Sequence, residues 1–252
     1  MIYELEETGL ASHLFGDWKE TMIYSCVQKV MGKLYVVDPK EPKSVMAVLG
    51  DFIFFAGEPC RELVMNKSEG FVIMVPQMEE WAHLIEECYK DKCRQVTRYA
   101  MKKDTVFDKD RLTDLLAGCP EGYRLHFIDE ALYEQCRKNQ WSEDLVSVFE
   151  SKKEYMEKGL GVVAVKDGEI AAGASSYTRY REGIEIEVDT RVDERRKHLA
   201  TACCAKLILE CLERGLYPSW DAQNLHSVHL AEKLGYELSH EYTAYEVIGS
   251  EC

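Results

Sequence analysis

The segment Gly183-Ile184-Glu185-Ile186-Glu187-Val188-Asp189-Thr190 runs into Arg191-Val192-Asp193-Glu194-Arg195-Arg196-Lys197-His198 and then into Leu199-Ala200-Thr201-Ala202. Its first part alternates strictly. Ile184, Ile186 and Val188 share one face, and Glu185, Glu187 and Asp189 share the other. That is the pattern of a strand with one face on a core. The middle is a basic turn, and a helix is expected from Leu199 to about Glu213. A strand, a basic turn and a helix start make an anion site, because the first amides of a helix lack internal partners and the dipole favours negative charge. Ala200, Thr201 and Ala202 are small enough for a diphosphate to approach the backbone. On charge alone, a solvated basic turn capping a surface helix is the plainer alternative.

Outward from this segment, the second half of the chain reads as β-α-α-β-β-β-α-β-α-β. A strand is expected over 123–127, and two helices hinged near Gln140 over 130–158. A hairpin follows over 161–177 about Asp167-Gly168, a strong turn signal. Beyond the central segment come a strand over 217–221, a helix over 224–234 closed by Gly235, and a strand over 241–247. The first half reads as a helix over 13–31, strands over 33–37, 44–49, 51–56 and 70–75, a helix over 78–89 and a strand over 95–101. It holds no chemical motif, and no internal repeat is visible. Gly118, Pro120 and Gly122 mark the expected seam. The expected domains are therefore 1–120, an α/β packing and substrate-enclosing domain, and 121–252.

The chain has 252 residues, 46% of them apolar and 30% charged. That composition is globular. Lysine plus arginine is 31 and aspartate plus glutamate is 45, so the net charge is −14. Residues 1–120 carry 15 basic and 20 acidic groups, net −5, and residues 121–252 carry 16 and 25, net −9. This opposes phosphate backbones and anionic bilayers, and favours a cationic substrate in the second half. The acidic opening and the lack of long apolar runs suit neither a leader nor a membrane span. A cytoplasmic location is expected. The ten cysteines form no CxxC pair and are expected to be reduced structural thiols. The sequon Asn66-Lys67-Ser68 is then a chance occurrence.

The second half resembles the GNAT superfamily of N-acetyltransferases. That superfamily carries Arg/Gln-x-x-Gly-x-Gly/Ala at the turn between its fourth strand and third helix. Here the match is Arg195-Arg196-Lys197-His198-Leu199-Ala200, with His198 at the central glycine. Its second motif, a helix-opening Asn followed by a Glu-Lys-Leu-Gly-Tyr ending, matches Asn224 and Glu232-Lys233-Leu234-Gly235-Tyr236, with eleven residues from Asn224 to Gly235. The stretch 208–221 is similar to the subfamily that includes zwittermicin A resistance acetyltransferases, which also carries an N-terminal α/β region. The resemblance implies an α/β (α+β) fold: a mixed, mostly antiparallel twisted sheet flanked by helices, with an additional N-terminal α/β domain. It implies acetyl-CoA as cosubstrate and no metal. The amides and cations of Arg195, Arg196, Lys197, His198, Leu199, Ala200 and Thr201 would hold its diphosphate. The strand end from Asp189 through Thr190 to Val192 would pair with the pantetheine, and Asn224 would hydrogen-bond it.

The implied activity is transfer of an acetyl group to a primary amine of a small, cationic molecule. Neither nucleic acid nor membrane is expected as a partner, and a homodimer is left open. The superfamily commonly takes its general base from the fourth strand, which here offers Glu187 first and Glu185 second. The tyrosine acid often found seven residues after the helix-opening Asn is Ala231 here. Either the coenzyme A thiolate leaves without an acid, or another group such as Tyr177 or Tyr217 donates, or no turnover occurs. His198 and Ala231 are the features that fit the alternative, a non-catalytic acyl-CoA-binding or sensing protein. Trp141, Tyr155 and Tyr177 could wall a substrate pocket, with a core role the plainer reading of each. His226 and His229 have no third ligand spaced to join them, so no metal site is expected.

Overall fold

The computed structural model of the chain describes residues 1–67 and 70–248. Ser68 of the sequon lies outside the described residues. Two compact units are present, one of Met1–Arg98 with the segment from Glu241, the other of Tyr99–His240.

The first unit contains β1 (Tyr3–Glu4), α1 (Gly9–Ser12), α2 (Thr21–Val27), β2 (Lys33–Val36), β3 (Ser44–Leu49), β4 (Phe52–Gly57), α3 (Arg61–Met65), β5 (Phe71–Pro76), α4 (Glu79–Tyr89) and most of β6 (Cys93–Met101). In place of the helix expected over 13–31 there are a 3-10 turn at His13–Phe15 and the short α2, separated from Gly16 on, where φ is +57°. The second unit contains α5 (Lys109–Ala117), β7 (Arg124–Phe127), α6 (Glu130–Arg137), α7 (Lys152–Lys158), β8 (Gly161–Lys166), β9 (Glu169–Tyr180), β10 (Gly183–Thr190), α8 (Leu199–Glu213), β11 (Tyr217–Ser219), β12 (Asp221–Ala222) and α9 (Leu225–Leu234). The chain then returns to the first unit through β13 (Leu238–Ile248).

The boundary falls at residues 98/99, not at the Gly118–Gly122 run. The reason is α5, a helix for which the sequence pattern gives no expectation. Asp108 caps it, its Oδ1 accepting the amides of Asp110 and Arg111 at 3.0 and 3.1 Å. Leu112 is fully buried in the same core as Leu199, Cys203 and Leu207 of α8. Residues 99–117 therefore fold with the second unit. The two helices expected over 130–158 are shorter than that span, with a 3-10 turn at Glu143–Leu145 between them.

In the second unit the sheet order is β11-β10-β9-β8-β7, antiparallel except for the parallel pair β10 and β11. The β8–β9 hairpin turns on Asp167 and Gly168, both at positive φ, as a two-residue turn of that twist requires. α8 buries nine of its fifteen residues, among them Cys203, Cys204 and Cys211, against the apolar face of β10 and β9. Gly215, at φ +67°, terminates it, and the amide of Leu216 closes back on Cys211 O at 2.8 Å.

The first unit is also mixed and mostly antiparallel, with order β1-β2-β3-β4-β5-β13-β6 and, among the pairings described, a parallel one of β4 with β5. Taken in chain order, 3–101 and 124–248 run through the same succession of strands and helices, except that β5 of the first is matched in the second by β11 and the two-residue β12. Each has a single helical crossover into a parallel strand, α3 in one and α8 in the other. The structure thus holds a repeat of elements that no repeat of residues announces. The nine described cysteines are all free thiols, and burial lifts the thiols of Cys26, Cys136 and Cys211 to about 12.

Candidate active site

β10 and β11 pair only from Gly183↔Tyr217 to Glu185↔Ser219. Beyond that rung they part. β11 gives way to Trp220, and β12 turns to pair with Tyr99 and Ala100 of β6. The strand expected over 217–221 is broken here for that reason. Among the described residues, no strand covers Ile186–Thr190 on the side away from β9. This leaves a slot edged by main-chain donors and acceptors, and its end runs into the 191–198 turn.

The turn is built as an anion cradle. Ala202 is the first amide of α8 to find a carbonyl, that of His198 at 3.1 Å. The amides of Leu199, Ala200 and Thr201 therefore face whatever occupies the helix start. His198, at the glycine position of the family pattern, has φ +63° and ψ 11°, the left-handed conformation that glycine supplies without strain. The backbone needed at this position is thus present with a histidine in place. Arg195, Arg196, Lys197 and Val192 are exposed, and Thr190 is half-buried. Arg195 Nε donates to Thr190 O at 3.4 Å, and Lys197 Nζ pairs with Glu194 at 2.8 Å. Asn224 caps α9, its Oδ1 accepting Ser227 N at 3.1 Å. Its side-chain amide nitrogen remains available as a donor.

The acidic face of β10 differs along its length. Glu185, 3% exposed, sits at the last β10–β11 rung, with Lys103 Nζ 3.7 Å from its Oε2. The same ammonium donates to Ser219 Oγ at 2.5 Å. Sequence reading missed Lys103, because it lies some eighty residues upstream in a loop with no motif. Glu187, half-buried, lies on the open stretch, its Oε1 accepting the amide of Val188 at 3.1 Å. Asp189 follows on the same face. Burial lifts its carboxyl to about 6, with Asp144 pushing the same way and Arg195 opposing.

A carboxyl raised in the folded state favours the fold most when protonated, so stability is lost as pH rises through about 6. Asp189→Asn is expected to raise the unfolding free energy at about pH 8 by about 1–3 kcal/mol and to change it little at about pH 4. Urea unfolding at both values checks this. An equal effect at both would show that ionisation of Asp189 is not the cause.

The other candidates separate cleanly. Ala231 is fully buried in the α8–α9 core and brings no polar group. The Tyr217 hydroxyl donates to Lys102 O at 2.9 Å and accepts from Thr105 N at 3.3 Å. Tyr177 is buried, and Trp141 is half-buried. Tyr155 is a core residue, 1% exposed, with its hydroxyl 2.8 Å from Ser175 Oγ and its ring against Tyr133 and Phe149. His226 and His229 are both exposed.

Among the described residues, the first unit has no such slot. Its β4–β5 ladder runs on through Phe55↔Pro76, and Gln77 extends it, donating its amide to Phe55 O and accepting Gly57 N. Its crossover helix α3 has only five residues.

A family model described as GNAT acetyltransferase matches residues 12–245. A GCN5-related N-acetyltransferase-like protein from Streptococcus suis 89/1591 superposes with a TM-score of 0.92 at 48% identity, over 96% of this chain and 98% of that one. The uncharacterized N-acetyltransferase YdfB of Bacillus subtilis (strain 168) is 25% identical over 242 residues, 89% of each chain. A tandem GNAT protein from the clavulanic acid biosynthesis pathway shares the fold at 12% identity, with a TM-score of 0.56 and all of both chains covered.

Proposed function

The chain belongs to the GNAT acetyltransferase family, an acyltransferase by that membership, and we propose that it moves an acetyl group from acetyl-CoA to a primary amine of a small, cationic molecule. The observation that carries this reading is the parting of β10 from β11 at Glu185, leading into the amides of 199–201. A long cosubstrate with a diphosphate at one end and an amide-bearing arm fits that combination. Acetyl-CoA supplies an activated acyl thioester. The amides of 199–201 with Arg195, Arg196 and Lys197 hold its diphosphate. The edge of β10 through Thr190 and Val192, with Asn224, hydrogen-bonds its arm.

Glu187 attracts the acceptor's ammonium group and takes a proton from it, leaving the nitrogen lone pair free to attack. Glu185 is less suited, since it is committed to Lys103. No hydroxyl is available at position 231, so thiolate departure proceeds without a donor there. The net charge of −14 supports a cationic acceptor, and the free thiols of the nine described cysteines support a reducing, cytoplasmic setting. The repeated order of elements supports a tandem protein in which one repeat keeps the cosubstrate site and the first unit holds no coenzyme A.

Calorimetric titration with acetyl-CoA is expected to give a micromolar dissociation constant, about −8 kcal/mol. Reversing Arg195 and Arg196 together to Glu is expected to weaken it by about tenfold or more, since hydrogen bonds to charged groups contribute about 1.5 kcal/mol or more each. Absence of heat with the wild-type protein would remove the assignment.

A further inference from the structure

The turn from Arg191 to His198 is held in a shape its residues do not favour. Arg196 and His198 both lie at φ +63°, in the left-handed region that side chains with a Cβ occupy at a cost. Such a backbone persists only where its surroundings over-determine it.

The surroundings converge on Glu194. Its side chain is 9% exposed. It accepts from the Tyr123 hydroxyl, from Lys197 Nζ at 2.8 Å and from Arg191 Nη2 at 3.2 Å. Lys197 and Tyr123 hold its carboxyl below the usual range. Arg191 and Lys197 come from the two ends of the turn itself, and Tyr123 from outside it. Tyr123 stands at the approach to β7, with Lys166 Nζ of β8 placed 5.1 Å over its ring. Arg191 is tied to β9, its amide donating to Ala171 O at 3.0 Å and its Nη1 to Ile170 O at 3.3 Å. Lys197 lies between the two strained residues. One carboxylate thus ties the two ends of the turn together and fastens them to the approach to β7.

That carboxylate also stands beside the anion cradle, where its charge repels a diphosphate and occupies two cations. We propose that Glu194, held by Tyr123, is a positioning residue for the cosubstrate-binding turn, shaping the amides of 195–201 for a diphosphate at the cost of its own repulsion. The proposal rests on the reading of this turn as the coenzyme A diphosphate site.

The two effects of Glu194 have opposite signs, which makes the proposal testable. By Coulomb's law alone, removing a carboxylate beside a polyanion tightens binding. If positioning dominates, the same change weakens it. Coenzyme A is titrated calorimetrically into the full-length wild-type, Glu194→Gln and Tyr123→Phe proteins, with thermal unfolding recorded for each. Glu194→Gln is expected to bind about tenfold more weakly, the loss of one charge-assisted network bond, and Tyr123→Phe more weakly in the same direction. In turnover with an amine acceptor, KM for acetyl-CoA rises and kcat at saturation holds. Tyr123→Phe keeps the ring and decides the matter if Glu194→Gln does not fold. Tighter or unchanged binding in the folded variants overturns the proposal and leaves the site assignment standing. Absence of wild-type binding overturns both.

Discussion

Glu187→Gln is expected to lower turnover by about 10²–10⁴-fold, the usual loss for a positioned general base, with coenzyme A affinity unchanged. The expectation follows from position along one strand face. Residues two apart share a face, so Glu185, Glu187 and Asp189 all project opposite the core that holds Ile184, Ile186 and Val188. The three differ in what surrounds them. Glu185 is buried at the last rung of the ladder and ion-paired with Lys103. Asp189 stands next to the turn, where Arg195 acts on it. Glu187 lies between them on the open edge, half-buried, where a carboxylate can meet an ammonium group and still be reached by solvent. Gln keeps the shape and the acceptor oxygen that takes the Val188 amide, and removes the basicity. Thiol release against a panel of small amines, compared with Glu185→Gln and Asp189→Asn, measures the loss. If Glu187→Gln and Glu185→Gln both keep near-full turnover, the base lies elsewhere.

The parts of this site that could be read in the sequence are those whose chemistry is local. Alternation over 183–190 gives the strand and its two faces. The Arg195–Thr201 run gives the turn and helix start, and Asn224 with Gly235 brackets α9. These features need only neighbours in the chain, and the structure shows the same elements. Features made by distant residues were not legible. Lys103 reaches Glu185 and Ser219 from a loop, and Tyr123 reaches Glu194 from the approach to β7. Neither has a pattern to mark it. α5 was missed because its apolar positions are few, and its place is set by Leu112 entering a core built mainly from residues beyond 160. The repeat was missed for a related reason. α3 has five residues where α8 has fifteen, and β4 is buried as a continuous apolar run where β10 alternates. The same topology is thus encoded by two different hydrophobic patterns.

The buried pair at the mouth of the slot leads to the largest expected stability effect. Lys103 and Glu185 have side chains 14% and 4% exposed. Burial of either charge is costly, and each lessens the other's cost. The ammonium also donates to Ser219 Oγ and, at 3.4 Å, to Trp220 O. It therefore binds the two strands at the point where they separate, one through Glu185 and the other through Ser219. Lys103→Met leaves the carboxylate without its cation and is expected to lower the unfolding free energy by about 3–5 kcal/mol, the loss typical when one partner of a buried ion pair is removed. Glu185→Gln alone is expected to cost less, since the amide keeps an oxygen for the lysine and buries no charge of its own. The double variant Lys103→Met with Glu185→Gln is expected to recover much of the loss of Lys103→Met, because the stranded charge is gone. Urea unfolding of the four proteins gives the coupling directly. A Lys103→Met cost below about 1 kcal/mol, the value of an exposed pair, would show that this contact does not hold the strands. The same set also separates structure from catalysis. If Glu185 serves the fold and Glu187 the reaction, Glu185→Gln shifts the unfolding midpoint with turnover largely kept, and Glu187→Gln does the reverse.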